Sequence, residues 1–137
     1  MIITKDFLKN NNIQLKFDNN AFKHCEDYGY IYANQRWATP FYKIKSTIYI
    51  RENFQKDSRF KTFLLHEIGH CLHKHRIGNL KEEIEADNFS LKYGGNIDIL
   101  IKAIDHEDKE YYGRYIHEPI YRKLILLLKK VKNEAYK

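Results

Sequence analysis

Five consecutive residues, His66-Glu67-Ile68-Gly69-His70, set two imidazoles four positions apart with a carboxylate beside the first. On a helix, positions i and i+4 share a face, so both imidazoles can reach one metal ion. Glu67 then lies next to that ion, where a general base for a water molecule belongs. Two histidines and a glutamate are costly on a buried helix unless something compensates them, and a metal ion does so. A third ligand must come from elsewhere. The three-histidine continuation of the motif needs Gly at 73 and His at 76, but those positions hold His73 and Arg76. The next acidic stretch is Glu82-Glu83-Ile84-Glu85-Ala86-Asp87. Glu82, Glu83 and Glu85 compete for the role. Glu83 and Asp87 are i, i+4 neighbours, whereas Glu85 falls ~200° around the helix from Glu83. Glu83 is therefore the expected ligand. Asp87 is expected to accept a hydrogen bond from the far nitrogen of a ligating histidine.

Both segments must be helical for this to work. Asp57 or Ser58 can cap a helix running through Phe60, Phe63, Leu64, His66, Ile68, Cys71 and Leu72. It is apolar on most sides, as a central buried helix is. Cys71 points away from the His66/His70 face and is expected in the core. His73 and His75 are expected as polar residues at the helix end. Gly78-Asn79 breaks the chain. A second helix spans about Leu80 to Tyr93 and stops at Gly94-Gly95. A third spans about Ile97 to Asp105. Pro119 suits the first turn of a last helix, with Ile120, Leu124, Leu127, Leu128 and Val131 at helical spacing. Its lysines, Lys123, Lys129, Lys130 and Lys132, read as a solvated face.

Upstream, Asp18-Asn19-Asn20 offers a helix start before Ala21 to Tyr28. Residues Tyr30 to Ile50 are rich in β-branched and aromatic types and predict two or three strands, with turns near Asn34-Gln35 and Lys45-Ser46. Trp37 and its neighbouring tyrosines read as core and sheet residues. The expected fold is α+β: a small, mostly antiparallel sheet packed on the buried HExxH helix, with the other helices on the same side. All 137 residues fit one domain.

Composition narrows the function. Hydrophobic residues are 43% and aromatics 15% of the chain, enough for a core and too much for a disordered segment. The longest apolar run is Leu124–Leu128, far below the ~20 residues of a membrane-spanning helix. No signal peptide is visible. Two cysteines, Cys25 and Cys71, do not make a disulfide framework and fit reduced thiols in the cytoplasm. The net charge of +6 permits a nucleic-acid partner without demanding one, and such a partner is not expected.

Together, HEIGH at 66–70 and Glu83, Glu85, Ala86, Asp87, Phe89 and Ser90 resemble the ImmA/IrrE metallopeptidases. These are gluzincins whose usual pattern is HExGH followed by ExEA(D/N)xFA. The resemblance covers about residues 47–93. It implies a zincin-like domain with one Zn²⁺ per chain on His66, His70 and Glu83. It implies that the strand Thr47–Ile50 is the edge that docks an extended protein or peptide substrate. It also implies a regulatory protein, such as a repressor of a mobile element, as that substrate. Gluzincins commonly stabilise the oxyanion with a distal Tyr or His, for which His106, Tyr111, Tyr112, Tyr115 and His117 are candidates. Three departures stand out. Ser90 replaces the usual Ala, Leu91–Gly95 replaces an apolar, Pro-terminated stretch, and the spacing from His70 to Glu83 is short. The family's partner helix-turn-helix is not expected.

The expected activity is zinc-dependent peptide-bond hydrolysis. The competing reading is a non-proteolytic metal-binding module that acts by binding a partner protein. Glu67 separates the two, because a structural site has no use for a base.

Overall fold

A computed structural model of the chain describes residues 3–22, 31–34, 46–73, 80–110 and 118–135. It is mixed α and β and mostly helical. Among the described residues, five helices, α1 (Lys5–Asn10), α2 (Phe60–Leu72), α3 (Leu80–Lys92), α4 (Ile97–Glu110) and α5 (Glu118–Ala135), accompany three strands, β1 (Ile13–Phe17), β2 (Ile31–Asn34) and β3 (Ser46–Ile50). Short 3-10 turns occupy Asn19–Phe22 and Phe54–Lys56. The first lies where a helix from Ala21 was expected, and residues 23–30 of that expectation lie outside the described residues, as do Trp37 and the 35–45 part of the strand region. No helix among the described residues is long and apolar enough to cross a membrane.

The sheet corrects the expectation of a mostly antiparallel arrangement. Its order is β1-β3-β2. β1 runs parallel to β3, from Ile13 opposite Ser46 to Phe17 opposite Ile50, and β2 runs antiparallel to β3, from Ile31 opposite Ile50 to Asn34 opposite Thr47. The added strand, β1, alternates apolar and polar residues as Ile-Gln-Leu-Lys-Phe, a period-two signal. Helix α1 before it is capped by Thr4, whose Oγ1 accepts from the Phe7 N–H at 3.1 Å.

Strand β3 is therefore central, with both backbone edges engaged. This overturns the role expected for Thr47–Ile50 as a substrate-docking edge. A strand hydrogen-bonded on both sides has no ladder left to offer. Of the two outer strands, β2 is the one that packs against α2.

On β3, Ile48 and Ile50 face inward and are fully buried. They join Ile13, Phe54, Ile68 and Cys71 in one core. Cys71 thus sits where the sequence placed it. Ile68 brings α2 onto this core, and α3 packs against α2 and adds Phe89 to the core's edge. A second core of Leu100, Ile104 and Leu126 joins α4 and α5, with Leu91 of α3 against it.

Two features bring α2 and α3 together. Gly69 is buried, and a Cβ there would lie 2.9 Å from the Phe89 Cβ and 3.1 Å from the Ala86 Cα. The absent side chain is what lets the helices approach. Gly69→Ala should push them apart and cost about 1–3 kcal/mol, the usual range for an overpacked core. Chemical denaturation checks this, and a variant as stable as the parent would show that the contact is slack. The second feature is Ser90, one of the departures from the family pattern. Its buried hydroxyl donates to the Thr62 carbonyl at 2.9 Å and so ties α3 to α2. The Thr62 Oγ1 in turn accepts from the Asn96 N–H at 2.9 Å. Helix α3 ends in a left-handed Gly94 (φ 101°), with the Gly95 N–H closing onto the Ser90 carbonyl at 2.7 Å. Asn96 then caps α4, its Oδ1 accepting from the Asp98 and Ile99 N–H groups.

Two expectations about helix ends and faces are revised. Neither Asp57 nor Ser58 caps α2; the N-cap is Arg59, whose N–H and guanidinium both bind Asp57. On α5 the apolar stripe faces solvent. Ile120, Leu124, Leu127, Leu128 and Val131 are exposed, while Arg122 and Leu126 are buried. The lysines are not all free in solvent either. Lys123 and Lys130 pair with Asp105 and Asp98 of α4, and Lys129 reaches Asn88 of α3.

Candidate metal centre

Helix α2 presents His66 and His70 one turn apart, with ring centroids 4.6 Å from each other. Their Nε2 atoms lie 3.0 Å apart. Glu83, from the first turn of α3, faces both. Its Oε2 is 3.2 Å from the His66 Nε2 and its Oε1 is 3.2 Å from the His70 Nε2. Three donors from two helices thus converge. Glu67 adds a carboxylate oxygen within 4.8 Å of a ring nitrogen of each histidine, and this group could hold a metal ion.

His66, Glu67, His70, Glu83 and Asp87 lie together. Glu85, the competitor of Glu83, turns to the far side, 3.6 Å from the Nδ1 of a half-exposed His73. His73 therefore faces Glu85 at the helix end. Of the oxyanion candidates, Tyr111, Tyr112, Tyr115 and His117 lie outside the described residues, as do His75 and Cys25. His106 lies in α4, and its side chain is not described.

Asp87 is only 2% exposed. Its Oδ1 accepts from the His66 Nδ1 at 2.9 Å. That bond leaves the His66 Nε2, on the opposite ring edge, aimed at the donor cluster. A residue the sequence did not single out completes the arrangement. Arg122 of α5 donates from Nε to the Asp87 Oδ2 and from Nη2 to Oδ1, both at 2.7 Å. Its Nη1 stands 3.4 Å from the Glu83 Oε2. The guanidinium is itself buried at 5% exposure.

The electrostatics follow. Burial raises the pKa of Glu83, but hydrogen bonds from His66 and His70 and the charge of Arg122 hold it well below the ordinary glutamate value. Burial likewise acts to raise Asp87, and the Arg122 charge and hydrogen bonds overcome it and hold the carboxyl low. For His66, burial would favour the neutral ring. Hydrogen bonds and charge from Asp87 and Glu83 win, and the metal-free imidazole is raised to about 10.

Two physical tests ask whether the group suits a cation. A tetrahedral ion about 2.0–2.1 Å from each nitrogen and oxygen holds its ligands about 3.3–3.4 Å apart. The two imidazole Nε2 atoms stand 3.0 Å apart and each lies 3.2 Å from a different oxygen of Glu83, distances close to that spacing. Three carboxylates, Glu67, Glu83 and Asp87, lie in the group, and the Arg122 guanidinium contacts two of them, Glu83 and Asp87, leaving an excess of two negative charges when the histidines are neutral. A divalent cation offsets that excess. In the metal-free protein, the raised His66 proton offsets part of it.

Comparison with known proteins yields no relative. No family model matches the chain, and neither curated proteins nor solved structures give a significant match.

Proposed function

We propose that the protein is a zinc-dependent endopeptidase of the ImmA/IrrE type. The observation that supports it most is the convergence of His66, His70 and Glu83 at ligand-to-ligand spacing, with the Glu67 carboxylate beside both histidines. Borderline-soft zinc suits two imidazoles and one carboxylate with a position left open. When bound, the ion supplies Lewis acidity, which polarises a carbonyl and brings the pKa of water toward ~7. Glu67 then takes a proton from the attacking water as its oxygen bonds to the scissile carbonyl carbon. The C–N bond breaks, and Glu67 delivers that proton to the departing amine. Asp87 keeps the His66 ring in the orientation that points Nε2 inward. An extended substrate is assigned to the outer strand β2, which packs on α2, in place of the central β3. Its chemical class is an unfolded segment of a protein, and a regulatory repressor fits that class.

The first test is metal content. The purified protein should bind close to one zinc per chain, and failure to take up zinc by metal analysis or titration would remove the reading. The raised His66 pKa adds a signature. A proton occupies the ring below about pH 10 in the metal-free protein, and zinc needs the lone pair. Binding should therefore release one proton from His66 and weaken about tenfold for each pH unit lowered from 9 to 7. Calorimetry in buffers of different ionisation enthalpy measures that release. No proton release at pH 8 would mean that His66 is already neutral there.

A further inference from the structure

We propose that Arg122 is a positioning residue for the metal centre, holding Asp87 and Glu83 in the orientations that aim His66 and Glu83 at one point. The proposal rests on the metal-binding reading and adds a residue from a third helix to it.

The geometry carries it. One planar guanidinium uses Nε and Nη2 on the two oxygens of Asp87, at 2.7 Å each, and turns Nη1 toward the Glu83 Oε2 at 3.4 Å. A fork of this kind fixes a carboxylate in its plane, which a lysine ammonium cannot do. Asp87 passes that orientation on through its Oδ1 to the His66 Nδ1, 2.9 Å away. The side chains of Arg122 and Asp87 are 6% and 2% exposed, so water neither screens nor replaces the contact. A single buried cation thus bridges a proposed ligand and the partner of another ligand.

The roll of α5 argues that this contact dominates over packing. Successive helix positions turn about 100°, so a face centred on Arg122 and Leu126 leaves Ile120, Leu124, Leu127 and Val131 on the far side. Those residues would gain by burial. The helix instead turns its arginine inward, and the buried Asp87 and partly buried Glu83 carboxylates supply the reason.

Zinc titration of folded variants tests the idea. Arg122→Leu should weaken zinc binding about 10–100-fold, the usual loss for a residue that orients a metal ligand. Arg122→Lys, which keeps the charge but not the fork, should recover only part of it. A variant series at Asp87 separates positioning from mere anchoring of α5. If Arg122 acts through Asp87, Asp87→Asn/Arg122→Leu should lose little more affinity than Asp87→Asn alone. The double variant also leaves no unpaired buried charge, so it is the one to use should Arg122→Leu fold poorly. Unchanged affinity in Arg122→Leu, or fully additive losses in the double variant, would overturn the proposal. A metal-free measurement keeps this outcome apart from failure of the zinc reading. The Nδ1 proton of His66 should give a slowly exchanging downfield NMR signal in the wild type that is lost in Arg122→Leu. Its persistence there would overturn the positioning role, whatever the protein does with zinc.

Discussion

Glu67→Gln is expected to keep its zinc and lose its peptidase activity. The amide nearly matches the carboxylate in size but cannot accept the proton of an attacking water. Loss of a general base typically slows a reaction ~10²–10⁴-fold. The structure separates the two glutamates that might be confused. Glu83 contacts both imidazole Nε2 atoms at 3.2 Å, whereas the Glu67 carboxylate lies within 4.8 Å of a ring nitrogen of each histidine. Activity is best followed on a mixture of unstructured peptides, with new termini read by mass spectrometry and zinc measured on the same sample. A variant that sheds its zinc would make Glu67 a ligand. One that cuts at the parental rate would remove it from the chemistry.

The second large effect concerns the carboxylates of α3. Glu83→Ala should weaken zinc binding by more than the ~10–100-fold that loss of an orienting partner costs, because it removes a direct donor. Asp87→Ala should fall within that range. Glu85→Ala should change little, since Glu85 lies beside His73 on the far side of the helix. Zinc titration against a competing chelator ranks the three. Retained affinity in Glu83→Ala with lost affinity in Glu85→Ala would reverse the assignment.

How far the sequence reveals this arrangement depends on the range of each interaction. The helices carrying the motif were legible because their signals are local. The spacing of His66 and His70, the phase of Glu83 against Asp87, and the Gly94-Gly95 stop each act within a few residues. Strand β3 was legible for the same reason, as Ile48 and Ile50 alternate with Thr47 and Tyr49. Its central place was not, because alternation identifies a strand but not its neighbours. The alternating Ile13–Phe17 segment carries a local strand signal, but nothing within it specifies the parallel pairing with β3 that changes the sheet. Arg122 was illegible for a deeper reason. Its partner Asp87 is 35 residues away. The apolar periodicity of α5 pointed the helix the wrong way round, because a charge pair outweighed the stripe. The only hint is that Arg122 lies among lysines, where the one side chain able to fork onto a carboxylate differs from its neighbours.

The spread of the site along the chain also sets an order of events during synthesis. His66, Glu67, His70, Glu83 and Asp87 all leave the ribosome before Arg122 does. At ~5–20 residues per second, the 35 residues between Asp87 and Arg122 take about 2–7 s to make. During that interval a nascent α2–α3 pair carries its acidic donors without their counter-charge. Arrival of α5 then supplies the cation that neutralises Asp87, and the cluster reaches its finished geometry only with that helix in place.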